Sequence, residues 1–189
     1  MAIKLTPGQG IIFMKVGTHA QEPLEDIIAR KRREIEAAGV AFWGYGGNTC
    51  HPLTMVQPFV RQKTEEGQTI YLCMHEMDSK HFAVQERAKQ YSPDGQRWID
   101  VPQGINVLGS RYALVIGSLE QQELLLPLDQ TKVGVGRARG MPGSRYISGR
   151  VDKACLEVVA DKEQRGEAPK TIDIGLIARL DEPYAVFVK

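Results

Sequence analysis

Cysteine is scarce in this sequence of 189 residues, which contains only Cys50, Cys73 and Cys155. The three positions are far apart, and no Cys-x-x-Cys pair occurs among them. We therefore expect neither a disulfide framework nor a structural zinc site. Cys73 and Cys155 lie in apolar, strand-like runs, which predicts that both are buried thiols.

Long apolar runs and an excess of one charge are also missing. The apolar run at residues 11–16 is interrupted by Lys15. No run approaches the roughly 20 apolar residues of a membrane span, and none has the pattern of a signal peptide. We therefore expect a cytoplasmic protein that has no membrane partner. The formal net charge of +1 gives no bulk electrostatic reason to expect nucleic-acid binding.

The four histidines lack a metal-ligand spacing. His75 and His81 are six residues apart, which differs from the spacing of helical zinc ligands such as His-Glu-x-x-His. We therefore predict no metal site and no bound cofactor.

The chain also lacks an internal repeat, a low-complexity segment and a long polar linker, so a single domain over residues 1–189 is predicted.

The first part of the chain has the pattern of a β-α-β unit. Residues 10–16 form an apolar run that predicts a strand buried on both faces. Residues 23–38 have an apolar stripe at helical spacing, and the charged run at residues 30–33 is interpreted as a solvated helix face. Residues 40–45 are apolar and aromatic, which predicts the next strand.

The second helix is predicted in two pieces. Pro52 suits the first turn of a helix, and residues 53–56 predict one helical turn. Pro58 is expected to break or kink any longer helix, with a resumption at residues 59–66.

The rest of the chain is rich in strand patterns and poor in helices. Residues 151–160 fit either a strand or a helix, and the strand is favoured. The fold class is therefore α+β: a curved mixed β-sheet or a small barrel-like sheet of about eight strands, with one long and one short helix. Strands are predicted at residues 68–75, 111–116, 123–126, 151–160, 170–178 and 184–188.

Recognition chemistry is densest at residues 42–52, Phe-Trp-Gly-Tyr-Gly-Gly-Asn-Thr-Cys-His-Pro. Two glycines at the end of a strand let a ligand approach the main chain, and a helix start after them would point N–H groups at an anion. The aromatic rings are of the kind that stacks on a flat ligand ring. The alternative is a tight turn flanked by core aromatics. The candidate ligand-binding residues here are Trp43, Tyr45, Gly46, Gly47, Asn48 and His51.

A second candidate segment, residues 131–150, contains five cationic residues, five glycines and no acid. Guanidinium groups fit phosphates and carboxylates two bonds at a time, so Arg137, Arg139 and Arg145 are the candidate phosphate ligands. The glycine spacing matches neither the dinucleotide fingerprint nor the Walker loop. The alternative is a flexible basic surface loop.

These two segments favour a binding protein over an enzyme. The leading hypothesis is a sensor or sequestering protein for a small anionic, nucleotide-like ligand, with the aromatic rings stacking and the arginines clamping phosphate. One alternative is a small hydrolase or transferase that uses Cys50 with a histidine, His75 or His19 being the candidates. Another is a reader of a modified or flipped base, although nucleic acid is the less favoured partner. A homodimer is left open, because two distant segments share a pocket only if the fold or a second subunit brings them together.

Overall fold

The computed structural model describes residues 3, 5–19, 21–47, 50–81, 86–108, 110–147, 151–160 and 170–189, with residues 79–81 described by their backbone alone. The helices are α1 (Leu24–Ala38), α2 (Leu53–Glu65) and the short α3 (Gly143–Tyr146). The strands are β1 (Gly10–His19), β2 (Ala41–Gly44), β3 (Tyr71–His81), β4 (Gln90–Ser92), β5 (Ile99–Asp100), β6 (Tyr112–Ile116), β7 (Glu120–Pro127), β8 (Thr131–Val133), β9 (Lys153–Val158) and β10 (Thr171–Val188).

The described strands form one mixed sheet of ten strands, which together with the helices makes an α+β fold. The order is β2-β6-β10-β3-β1-β9-β8, while β4 and β7 also pair with β10, and β5 pairs with β4. The α+β class and the mixed sheet agree with the sequence, but eight strands was an undercount. The missed strands include β4, β5 and β8, which have two or three residues and are too short for an alternating pattern to be recognised.

The β-α-β prediction needs a correction. Strand β1 lies parallel to β3, while β2 pairs antiparallel with β6, so β1 and β2 are not neighbours. The connection between the parallel strands therefore contains α1, β2 and α2. Strand β1 itself is buried on both faces as predicted, because Ile12 and Val16 pack under the helices while Ile11 and Phe13 pack into a separate core cluster.

Helix α2 is continuous, which contradicts the prediction of two pieces separated at Pro58. Pro58 lies inside the helix with an exposed ring. Leu53, Val56, Phe59 and Val60 are all buried, so one apolar face holds both halves against the sheet. That packing outweighs the backbone hydrogen bond that proline cannot donate to the preceding turn.

The two closing strands predicted from the sequence are one strand of 18 residues, β10. It pairs with β7 and β3 through its first half and with β6 and β4 through its second half. Its register against β6 shifts between Leu180 and Ala185, where Pro183 interrupts the alternating pattern.

Cys73 and Cys155 are buried free thiols, which confirms the prediction made for them from the sequence. In the described part of the chain, every helix falls short of the length and apolarity needed to cross a membrane.

We expect the substitution Pro58→Ala to raise the free energy of unfolding by about 1–2 kcal/mol, because alanine restores the missing helical hydrogen bond and the exposed ring loses little packing. Chemical denaturation measures the change. The matched control is Pro52→Ala, since Pro52 is also exposed but lies at the N-cap, where no helical hydrogen bond is lost. Equal effects of the two substitutions would contradict this explanation of α2.

Candidate functional site

A cavity of about 480 Å³ lies between α1, the second half of β1 and the end of β2. Residues 43–47 form one wall, and residues 106–108 with Ser110 form another. Asp152 and Lys153, at the start of β9, also line the cavity. The volume is within the range of small-molecule sites, which is roughly 300–1,000 Å³.

The aromatic rings of the first candidate segment belong to the core as well as to the cavity wall. Trp43 is 5% exposed and Tyr45 is 1% exposed. The ring of Tyr45 packs against Tyr112, with 5.8 Å between centroids. Little of either ring is open to a ligand in this conformation, so stacking on a ligand ring stays a prediction.

The glycine turn has a packing role that its sequence did not reveal. A β-carbon on Gly46 would lie 2.4 Å from Cδ1 and 2.8 Å from the backbone nitrogen of Tyr112. The N–H of Gly46 donates to the carbonyl of Tyr112 (2.9 Å), and that of Gly47 donates to Cys50 Sγ (3.1 Å). The N–H of Gly46 is therefore held by β6 and that of Gly47 by the turn itself, so both are engaged within the protein. Asn48 lies outside the described residues.

His51 faces the second candidate segment and does not line the cavity. Its ring stacks on Tyr146 at 5.8 Å with an interplanar angle of 4°, and Nε2 is 3.3 Å from the Tyr146 hydroxyl. A β-carbon on Gly136 would lie 3.2 Å from the His51 ring. Burial lowers the pKa of His51, and its buried Nδ1 has no hydrogen-bond partner in the part of the chain that is described.

The arginine segment is a hydrogen-bonded turn. Gly136 and Gly140 adopt positive φ angles of 77° and 90°, and the N–H of Gly140 donates to the carbonyl of Val133 (2.8 Å). Arg137, Arg139 and Arg145 are exposed on it. None of these three arginines lines the cavity. The two candidate segments thus meet through His51 and Tyr146, at a place outside the cavity.

Two of the cations that line the cavity, Arg30 and Lys31, come from α1, where the sequence predicts a solvated charged face. That interpretation is wrong for Lys31, which is 4% exposed, and the neighbouring Glu34 is also 4% exposed. Lys31 Nζ lies 3.1 Å from Glu34 Oε2. Arg30 bonds to Glu34 Oε1 (3.2 Å) and to Glu22 Oε1 (2.7 Å). The missed signal was spacing: Lys31 is three and four residues after Ile28 and Ile27, on the apolar stripe itself.

The same ion network holds the opposite wall of the cavity. The backbone N–H of Asn106 donates to Glu34 Oε1 (2.9 Å). Its carbonyl accepts hydrogen bonds from Arg30 Nη1 (3.1 Å) and from Lys31 Nζ. Both main-chain groups of Asn106 are thus held by side chains of α1. Asn106 Oδ1 at this wall, and Asp152 Oδ1 next to Lys153 at the start of β9, are buried and have no hydrogen-bond partner among the described residues.

Lys153 and Lys15 are the two lysines at the cavity that form no ion pair among the described residues, and Lys153 is the one beside the aromatic wall. It lies opposite Met14 in the antiparallel pair of β1 and β9 and shares a strand face with Cys155. Its Nζ is 5.9 Å from the centroid of the Tyr45 ring and would be 3.7 Å from a β-carbon on Gly47. Among the described residues Lys153 forms no ion pair, whereas Arg30 and Lys31 are both paired with acids.

The surroundings of Cys50 do not match a cysteine-histidine pair. Its Sγ contacts the carbonyl oxygens of Tyr45 and Gly47 and the hydroxyl of Tyr112, at 3.5–3.6 Å. In the described chain, no histidine is within hydrogen-bond distance of this sulfur. His75, one of the candidate partners, has its Nδ1 2.7 Å from the carbonyl of Asp173. The described residues also contain no group of three or more His, Cys, Asp or Glu placed to hold a metal ion.

Gly46→Ala is expected to lower the free energy of unfolding by about 1–3 kcal/mol, because the added carbon meets the main chain of Tyr112 and forces a backbone shift. The matched variant is Gly47→Ala, whose added carbon has only Lys153 Nζ nearby at 3.7 Å, so a change within about 0.5 kcal/mol is expected. Chemical denaturation of the pair measures both values. Similar costs at the two positions would show that the turn is held by something other than this contact.

The lowered pKa of His51 predicts an acid-sensitive fold. The unfolded chain takes up a proton near the ordinary histidine pKa of 6.5, while the folded chain resists it. Stability is therefore present above that pH and is lost as the pH falls, by at most about 1.4 kcal/mol per pH unit for one proton. His51→Phe should make the loss shallower, and Tyr146→Phe, which keeps the stacked rings, should leave it unchanged, because burial is the cause of the lowered His51 pKa. Identical pH profiles for His51→Phe and the wild type would exclude His51 as the cause.

Comparison with known proteins does not assign the chain to a family. No protein-family model matches the chain, and neither a curated protein nor a solved structure is significantly similar to it.

Proposed function

We propose that the protein binds a small anionic ligand in the cavity between α1, β1 and β2, and that it does so without catalysis, as a sensor or sequestering protein. The observation that carries this proposal is a cavity of about 480 Å³ beside Lys153, a lysine without a paired acid among the described residues. A nucleotide-like molecule, with a flat ring and a phosphate, is the favoured class.

Charge compensation supports an anion as the ligand. Glu22 and Glu34 neutralise Arg30 and Lys31, so those two cations add little net attraction. Lys153 has no such partner, and a charge-assisted hydrogen bond from its ammonium to a ligand anion contributes roughly 1.5–3 kcal/mol. The neighbouring wall at Leu24, Ile27 and Val107 is apolar and suits the uncharged part of a ligand.

The unpartnered oxygens at the wall support a ligand that also carries hydrogen-bond donors. Asn106 Oδ1 and Asp152 Oδ1 are buried without partners in the described structure, and a buried acceptor in that state costs about 1–3 kcal/mol. An N–H or O–H group on the ligand would satisfy one or both. The edge of a nucleobase offers such donors.

The loop arginines have a different place in this proposal from the one that the sequence suggested. Arg137, Arg139 and Arg145 are exposed outside the cavity, so they would reach a ligand there only through a second subunit or a rearrangement of the turn. The homodimer, the cytoplasmic location and the nucleotide-like character of the ligand stay predictions. No observation favours the base-reading or cysteine-dependent alternatives over binding in the cavity.

Isothermal titration with a panel of nucleoside mono-, di- and triphosphates tests the proposal. The variant Lys153→Met should weaken binding of the best ligand by about 10- to 100-fold, because the anion loses its charged partner. The matched control, Lys170→Met, removes an exposed lysine remote from the cavity lining and should leave the affinity unchanged. Filling the cavity with Met77→Trp should also abolish binding. Binding that survives both Lys153→Met and Met77→Trp would place the ligand elsewhere.

A further inference from the structure

One buried amine at the cavity is not used by the proposed anion site. Lys31 lines the cavity, yet only 4% of it is exposed to solvent. Its Nζ lies between Glu34, the carbonyl of Asn106 and the neighbouring guanidinium of Arg30. Lys63 is also buried on a helix and paired with an acid, Glu157 (3.1 Å), but it does not line this cavity. Burial and ion pairing are therefore common to both lysines, and access to the cavity distinguishes Lys31.

We propose that Lys31 is a reactive amine that holds an anionic aldehyde or ketone in the cavity as an imine, with the anionic group of that compound directed to Lys153. This inference rests on the proposed function and names the chemical class of its ligand. A lysine becomes a nucleophile of this kind when it is desolvated in an apolar pocket or lies beside another cation. Lys31 is desolvated by burial and lies beside the guanidinium of Arg30.

The charges around Lys31 favour its neutral form over that of an ordinary lysine. Burial, the largest effect, and the adjacent Arg30 both lower the pKa of Lys31, while Glu34 and Glu22 raise it, and the result is a pKa of about 8. The other ionisable groups at the cavity are Lys15, His19, Tyr45, Asp152 and Lys153. About one Lys31 side chain in ten would then be neutral near pH 7, compared with fewer than about one in a thousand for a lysine of ordinary pKa.

The imine forms without any oxidant or reductant. The lone pair of neutral Nζ forms a bond to the carbonyl carbon, and the electron pair of the C=O bond moves to oxygen, which takes a proton from Nζ. The resulting carbinolamine loses its hydroxyl group as water, which leaves a C=N bond between the ligand and Lys31. Glu34 is a positioning residue, since its carboxylate holds Nζ at the wall 3.1 Å away and does not itself line the cavity.

Trapping with a simple carbonyl probe tests this inference. The intact protein is incubated near neutral pH with para-carboxybenzaldehyde and cyanoborohydride, which reduces an imine to a stable amine, and the labelled lysines are mapped by peptide mass spectrometry. We expect Lys31 to be labelled at least about 10-fold faster than exposed Lys170, because more of it is neutral. Buried Lys63 should stay unlabelled. The labelling rate at Lys31 should rise with pH and level off above about pH 8.

Two variants remove the amine in different ways. Lys31→Arg keeps a cation beside Glu34 and Asn106, and Lys31→Met removes the charge; both should abolish fast labelling. Lys153→Met should slow labelling by para-carboxybenzaldehyde about 10-fold, yet leave labelling by uncharged benzaldehyde unchanged. If neither Lys31 variant folds, the peptide map of the wild-type protein still decides the question. Labelling of Lys31 no faster than that of Lys170 would overturn the proposal.

Binding of 4-methylbenzoate, which keeps the carboxylate of the probe but has no aldehyde, separates this inference from the function on which it rests. If the benzoate binds in a Lys153-dependent way and Lys31 is not labelled, the imine proposal is overturned and the anion site stands. Loss of both benzoate binding and labelling would overturn both. Labelling of Lys31 that the benzoate blocks by competition would support both.

Discussion

The interaction on which the cavity depends is the buried ion network of α1. Taking charges out of water costs several kcal/mol for each ion unless opposite charges and hydrogen bonds replace the lost solvation. Lys31 and Glu34 compensate each other at 3.1 Å, and Arg30 joins Glu34 to Glu22. The network also takes up both backbone groups of Asn106. One set of charges therefore joins the helix to the facing segment at Asn106, and both line the cavity.

Much of the fold could be predicted because its strongest elements carry local signals. Strand β1 contains an apolar run and helix α1 has a clear apolar stripe, whereas residues 151–160, which contain β9, fit a strand or a helix. The aromatic and glycine segment was also recognised as unusual, and residues 43–47 do line the cavity. The binding role of this segment was harder to predict. The N–H of Gly46 donates to Tyr112, on a strand 66 positions later in the chain, and the local sequence does not show such a tertiary contact.

The positions of some charged side chains were predicted wrongly, because a charged residue type can be buried in an ion pair or exposed to solvent. The run at residues 30–33 looks solvated by composition, and only the helical phase of Lys31 places it inside. Conversely, the arginine turn looks like a clamp by composition, but its glycines at 136 and 140 fold it against His51 and point Arg137 and Arg139 to solvent. Composition identified charge and flexibility, whereas the position of each charge was set by packing between segments far apart in the chain.

The eighteen residues of β10 also have a consequence for how the chain reaches its native state. This strand lies between β3 and β6, so residues 171–188 must exist before the two parts of the sheet can join. Its contacts with β3 connect positions about a hundred residues apart, as in the pair Leu176 and Met74. Such long-range pairing is slow to form, because a large loop must lose chain entropy on closing before any stabilising contact is made. During synthesis, the edges of β3 and β6 would remain open to other chains until the ribosome has completed their shared partner.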